Sequence, residues 1–270
     1  MAEEKVAPPL PKVDAIVVAG GSPPAGDELL AHTGVEKKAL LKIGGRAMIC
    51  YVVEALAAAP HVEHIVIVGL GPADGLEFSR TVEYVPARGD ILDNCVAGLE
   101  RLRQVNPAAD YVILSSADIP LLTPEAIEHF IAACLAVEAD VYYPIVKKSV
   151  MEEHFPGAGR TYATVRDGHF AGGDLFMVRA SVMQLNLHLT RRLIEARKSI
   201  WRLVKLIGPK MIFKFLTRRL TIAEAEEIVG QALNCRAKAI ISPYAELGMD
   251  VDKVHQLEMA RSLLEAQKGR

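Results

Sequence analysis

An α/β protein with a mixed, mostly parallel sheet and helices on both faces is what the sequence predicts. Two observations carry that prediction. Short, β-branched apolar runs alternate with longer stretches of helical periodicity through the first half of the chain, the pattern of strands joined by crossover helices. Two of those runs end in loops, Ala19-Gly20-Gly21 and Ser116-Ala117-Asp118, whose residue types suit the ligand crevice at the carboxyl ends of parallel strands.

The elements follow in order. Residues 1–12, MAEEKVAPPLPK, are charged and proline-rich and read as a flexible tail. Val13–Val18 is a buried central strand. Residues 22–37 read as loop, with Gly26 and Gly34 as punctuation. Arg46–Ala58 has apolar residues at helical spacing, and Pro60 ends it. His64–Leu70 and Thr81–Val85 are strands. Ile91–Gln104 is a helix with Leu92, Cys95, Val96, Leu99 and Leu102 inward, and Tyr111–Ser115 is the next strand. Pro124–Val137 is a helix with Thr123 as its N-cap and Pro124 in its first turn. Asp140–Val146 is a strand, and Thr161–Val165 and Asp174–Val178 are shorter strands flanking an Asp167-Gly168 turn. Residues 180–232 are helical in pattern almost throughout. Lys238–Ile241 is the last strand and Asp252–Gln267 the closing helix. Residues 13–270 read as one domain with a helical insertion at about 185–235.

The composition is that of a globular enzyme, with 51% hydrophobic and 24% charged residues. A net charge of −2 leaves no footprint for nucleic acid, and no such partner is expected. That balance hides an asymmetry. Residues 188–220 hold 10 Lys/Arg and one acid, Glu195, leaving 21 Lys/Arg against 32 Asp/Glu elsewhere, so a local basic surface is expected. The four cysteines (Cys50, Cys95, Cys134, Cys235) are too far apart for a metal knuckle or a disulfide framework and read as free thiols. The N-terminus has no apolar h-region, and no uncharged run approaches the ~20 residues of a membrane span. The expected compartment is the cytoplasm.

Three stretches carry chemistry. Ala19-Gly20-Gly21 follows a strand and suits a backbone cradle for phosphate, although neither a GxxxxGKS/T loop nor a GxGxxG fingerprint is present. The Lys37-Lys38 pair returns positive charge to the same place. Asp118, two residues past a buried strand, is placed to hold a hard cation such as Mg²⁺ beside phosphate oxygens. In Gly248-Met249-Asp250-Val251-Asp252 the two carboxylates alternate along an extended segment. One is therefore expected to face the site, and the other solvent or the closing helix, which Asp252 is placed to cap.

These stretches also match a family pattern. VAGG (18–21), KALLKIGGRAMI (38–49), VPARGDILDNCVAGL (85–99), LSSADIPLLT (114–123) and GMDVDKVHQL (248–257) resemble the MobA-like nucleotidyltransferases, relatives of molybdopterin guanylyltransferase and of the sugar-phosphate and methylerythritol-phosphate nucleotidylyltransferases. The resemblance implies a Rossmann-like sheet of the nucleotide-diphospho-sugar transferase (GT-A) type. It implies Mg²⁺-dependent transfer of a nucleotidyl group from an NTP to a small phosphorylated acceptor, with release of pyrophosphate. By position it implies that Ala19, Gly20, Gly21, Lys38, Arg88, Gly89 and Asn94 bind the nucleotide. Lys38 and Asp118 are the implied catalytic pair, Asp118 and Asp252 the metal ligands, and Arg160, Thr161 and Asp174 the acceptor contacts. One departure stands out. The family loop carries an arginine shortly after its glycines, whereas here SPPAGDELLAHTG has none and carries Asp27 and Glu28. Arg46 or a cation from 188–220 would have to compensate, the loop would have to swing aside, or activity is reduced. Two other functions fit the same residues: a GT-A-type glycosyltransferase using Asp118, and a nucleotide-binding module that has lost catalysis.

The segment 188–220 has three readings: a basic helix touching a membrane surface, a lid over the acceptor, or a packed helical insertion with a solvated basic face. Arg197, Lys198, Arg202 and Lys205 punctuate its apolar residues, and Gly208-Pro209 breaks it.

Overall fold

The computed structural model describes residues 10–21, 28–185, 187–196 and 208–268. Among them, nine strands form one sheet in the order β5-β4-β1-β6-β10-β7-β9-β8, with β11 on the other edge of β7. Strands β1 (Val13–Val18), β4 (Val62–Val68), β5 (Glu83–Val85) and β6 (Tyr111–Ser116) run parallel. β10 (Leu175–Arg179) runs against both β6 and β7 (Val141–Lys147), and β11 (Ala237–Ser242) runs parallel to β7. β9 (Gly168–Gly172) pairs with the far half of β7 and with β8 (Ala163–Val165). β9 and β10 are thus two stretches of a single antiparallel path along β7, broken at Gly173-Asp174. A separate hairpin joins β2 (Lys42–Ile43) to β3 (Arg46–Ala47).

The helices are α1 (Glu28–Thr33), α2 (Met48–Ala58), α3 (Ile91–Val105), α4 (Pro124–Leu135), α5 (Lys148–His154), α6 (Ala180–Leu185), α7 (Leu187–Ala196), α8 (Pro209–Leu216), α9 (Ile222–Leu233) and α10 (Val254–Lys268). Strand alternation sends Ala15, Val17, Ile65, Ile67 and Ile113 into a core shared with α2, α4 and α10. It sends Ile16, Val66, Val68 and Val112 into a second core with α3 and α6. This is why β1 is apolar on both faces apart from the buried Asp14: both faces are covered. Thr123 caps α4 by accepting from Ala126 N–H at 3.2 Å.

Among the described residues, 180–232 is helical in α6 to α9, interrupted at 217–221; Arg197, Lys198, Arg202 and Lys205 lie outside the described residues. Three expectations need correction. The stretch 22–37 is not all loop: α1 forms because Leu29 is buried against the core (1% exposed). Arg46 and Ala47 belong to the β2–β3 hairpin, which turns at Gly44 and Gly45 with φ of 55° and 84°, and the helix starts at Met48. Asp252 does not cap α10. The Gln256 side-chain oxygen accepts from the N–H groups of Asp252 and Lys253 instead, each at 2.9 Å. The cysteines are free, three of them buried.

Candidate active site

Parallel strands place their following loops along one edge of the sheet. Here that edge gathers Ala19–Gly21 after β1, Gly69 after β4, residues 86–90 after β5 and Ala117-Asp118 after β6. Because β10 is antiparallel, its start lies at the same edge. Leu175 is opposite Ser115, and Ser116 N–H donates to the Asp174 carbonyl at 3.0 Å. The chain beyond β11 returns to the edge through two backbone bonds, Asp174 N–H to the Leu247 carbonyl at 3.1 Å and then Val251 N–H to the Asp118 carbonyl at 2.9 Å. The second bond brings Asp252 beside Asp118.

Lys38 completes this cluster. It opens a single 3-10 turn, Lys38–Leu40, pinned by Leu41 N–H to the Lys38 carbonyl at 3.0 Å and by buried Ala39. Its ammonium donates to Asp118 Oδ2 at 2.5 Å and to Asp252 Oδ1. Burial works to lower its pKa, but the Asp118 and Asp252 carboxylates outweigh that and hold it above the ordinary lysine value. On the other side Arg160, only 14% exposed, pairs with Asp250 and lies 3.9 Å from Asp174 Oδ2. Asp250 and Asp252 therefore both join the charged cluster, one through each cation. Strand alternation still separates them: Asp250 is 13% exposed, whereas Asp252 is 59% exposed and meets Lys38 from the solvent side, without capping the closing helix.

The cluster counts four carboxylates against two cations. Asp118 Oδ1, Asp174 Oδ2 and Arg160 Nε are buried without a hydrogen-bond partner. Burial, then the Asp118 carboxylate and more weakly Asp252, push the Asp174 carboxyl up to about 6, against the pull of Arg160. Between the unfolded value of 3.8 and about 6 the folded state holds the extra proton. This group's contribution therefore falls as pH rises through that window, and ionised Asp174 works against folding above it. Asp174→Asn is accordingly expected to raise Tm by about 2–4 °C at neutral pH. The gain should vanish at pH values well below the window, which thermal melts across pH will check.

The glycines of the first loop divide the work. Gly20 packs against a neighbouring loop: a Cβ there would lie 2.7 Å from Ala87 Cβ and 2.9 Å from Gly69 Cα. Gly21 faces open space, with nothing within 4 Å of the point a Cβ would take. Asn94 is fully buried. It donates to the Gly20 carbonyl and accepts from Arg88 N–H at 2.8 Å, so it braces the loop from beneath. Gly89, with φ of 142°, stands over Asp93. The Arg88 side chain is half-exposed and paired with Glu100. Arg46, a candidate to replace the missing loop arginine, is engaged by Glu54 at 3.3 Å. The lysine beside the loops is Lys37, 3.4 Å from both the Gly69 carbonyl and Asp74. Thr161 is exposed. Glu28 is exposed at the start of α1, and Asp27 lies outside the described residues.

Sequence reasoning missed the contact of Gly69 with Gly20 and the Arg160–Asp250 pair. Gly69 follows a strand just as Gly20 does, and that shared context was its one signal. A separate grouping of Asp14, Glu63 and His64 has metal-like spacing, but it sits at the opposite, amino ends of β1 and β4. Asp14 is already satisfied there by His64 Nδ1 at 2.8 Å, His64 N–H at 3.1 Å and Asn106 Nδ2 at 2.9 Å. It is a structural tie.

The model of the MobA-like NTP transferase domain family matches residues 15–196. The chain belongs to this family. The MobA-like match spans Gly20, Lys38, Asp118 and Asp174 but ends before Asp250 and Asp252, which join the site through the fold. A hypothetical transferase of Thermus thermophilus is 37% identical, with a TM-score of 0.79, over 91% of this chain and 99% of that one. A molybdenum cofactor guanylyltransferase of Bradyrhizobium is 30% identical over 48% of this chain, and the match spans only 58% of that relative's length. A nucleotidyl transferase of Methanothermobacter shares the fold at a TM-score of 0.55 and 14% identity, over 95% of this chain and 99% of that one. The Anaerococcus prevotii 4-diphosphocytidyl-2C-methyl-D-erythritol synthase does so at 0.54 and 12%, over 94% and 96%. The chain carries the mostly parallel, Rossmann-like sheet of these enzymes.

Proposed function

We infer that the chain transfers a nucleotidyl group from an NTP to a small phosphorylated acceptor, releasing pyrophosphate, and that it does so with Mg²⁺ held by Asp118 and Asp252. The observation that carries this reading is the Lys38 ammonium seated between those two carboxylates at the carboxyl edge of the sheet. A cation already occupies the place where a second one is wanted, and the surrounding groups keep an excess of about two negative charges for it. The orphaned Asp118 Oδ1 suits a hard cation, which takes carboxylate and phosphate oxygens. When bound, the ion would neutralise triphosphate charge and act as a Lewis acid on the transferring phosphoryl group.

The protein's own share is positioning and charge. Gly20 and Gly21 bring backbone to the phosphates, and Asn94 keeps that loop in register. Lys38 moves from the carboxylates to the α- and β-phosphate oxygens as the triphosphate enters. Arg160, with a free Nε, and Asp174 hold the acceptor. An ionised acceptor phosphate oxygen forms the new bond to the α-phosphorus, and the bond to the β-phosphate breaks with its electron pair leaving on pyrophosphate. No general base is needed because the nucleophile carries no proton.

The test is pyrophosphate release from each of the four NTPs with Mg²⁺ and a panel of phosphorylated acceptors. GTP comes first, because the Bradyrhizobium relative is a guanylyltransferase by name. The expected result is pyrophosphate dependent on acceptor and metal. Release of a nucleoside diphosphate from a nucleotide sugar would favour the glycosyltransferase reading. NTP binding with no turnover under any acceptor would favour the module that has lost catalysis.

A further inference from the structure

Helix α8 carries a surface that nucleotidyl transfer does not use. It starts at Gly208, with φ of 84°, and has Pro209 in its first turn. Ile212 faces inward at 7% exposure, while Phe213 is 61%, Phe215 45% and Leu216 69% exposed. These are three of the eight large hydrophobic side chains exposed among the described residues, and they fall within four consecutive positions. Scattered apolar exposure is ordinary, but a cluster marks a contact surface. Pro209, Phe213 and Leu216 share one helix face by their spacing.

Cations frame this tip. Lys210 precedes it, and Arg218 and Arg219 follow, all exposed. Arg218 turns the chain through a left-handed conformation (φ 57°), and Leu220 re-enters the core at 7% exposure. Lys214, on the flank, is paired with Glu224. No such ion pair holds Lys210, Arg218 or Arg219 among the described residues. An apolar helix face ringed by uncompensated positive charge matches the boundary between the headgroups and acyl chains of an anionic bilayer.

We propose that α8 and the turn 217–219 dock the protein on anionic lipid bilayers. The contact is superficial, since no helix among the described residues is long and apolar enough to cross a membrane. It is anchored on the acceptor side of the fold. Arg166 N–H donates to the Leu220 carbonyl at 2.8 Å, and Ile222 N–H to Asp167 Oδ2 at 2.9 Å. Those bonds tie the segment to the β8–β9 hairpin, whose strands lead back to Arg160 and on to Asp174.

The test is sedimentation of the full chain with vesicles of phosphatidylcholine alone or mixed with phosphatidylglycerol. The protein is expected to pellet with the mixed vesicles, less so as salt rises, and not with phosphatidylcholine alone. Lys210→Glu/Arg218→Glu/Arg219→Glu should lower the partition by roughly a hundredfold. Phe213→Ser/Leu216→Ser should lower it about tenfold or more while leaving the melting temperature and pyrophosphate release in solution near wild type. Failure to bind mixed vesicles at low salt would overturn the proposal. So would a concentration-dependent dimer that the Phe213/Leu216 variant abolishes, because the patch would then be an interface between two copies.

Discussion

Lys38→Ala is expected to lower turnover by about a hundredfold to a thousandfold, the usual cost of removing one charge that stabilises a transition state. It is also expected to tighten Mg²⁺ binding in the absence of nucleotide. The two effects have one cause. In the free protein the ammonium lies 2.5 Å from Asp118 Oδ2 and is bonded to Asp252 as well, so a divalent ion must compete with it for the same oxygens. Removing the ammonium leaves two like charges facing each other, which destabilises the metal-free variant. Added Mg²⁺ should therefore raise the melting temperature of Lys38→Ala more than that of wild type, since a ligand stabilises the state it binds. Unchanged turnover would remove Lys38 from the reaction. Lost turnover with an unaltered Mg²⁺ response would leave Lys38 on the phosphates but not in competition for the metal ligands.

Gly69→Ala has the largest expected effect on stability. Its Cβ would lie 2.2 Å from Gly20 Cα and 2.3 Å from Gly20 N. Both are backbone atoms, so no side chain can rotate away. The residue also holds φ of 100°, which costs any L side chain. Overpacking and strain together should cost about 3–5 kcal/mol. A fall in Tm of about 10 °C follows for a chain of this size. Gly21→Ala is the matching control, because nothing lies within 4 Å of its Cβ position. It should melt like wild type and lose NTP affinity only, measured by nucleotide titration. If Gly69→Ala melts normally, the two loops are not in backbone contact.

The parallel half of the sheet was legible because its strands are buried on both sides, which favours apolar, β-branched runs such as Ile16–Val18. The position of Asp118 at the carboxyl edge was legible because it directly follows a buried strand, and Lys38 returns to it from a separate 3-10 turn. Other parts were not, and each for a physical reason. Gly69 follows a strand as Gly20 does, but its contact with Gly20 joins residues far apart in sequence, and no local pattern betrays that contact. Asp250 and Asp252 alternate as in any extended segment, but Arg160 and Lys38 approach from opposite sides and draw both into the cluster. At the break between β9 and β10, Gly173 has to be a glycine because a Cβ there would meet the Leu247 carbonyl oxygen at 2.7 Å, and that crossing belongs to tertiary structure. Asn94 entered as a nucleotide contact only through the family resemblance; it sits in the first turn of α3, and its buried amide ties the Gly20 and Arg88 backbones together.

The bond from Val251 N–H to the Asp118 carbonyl has a consequence in time as well as in space. During synthesis, β1, β4 and β6 and the loop bearing Lys38 all leave the ribosome well before Asp252 does. A nascent chain can therefore shape its phosphate loop early, while its lysine has only one of its two carboxylates. The charged centre closes when the segment after β11 is threaded back onto the edge of the sheet. The charged centre thus stays incomplete until the segment that carries Asp250 and Asp252 has been made.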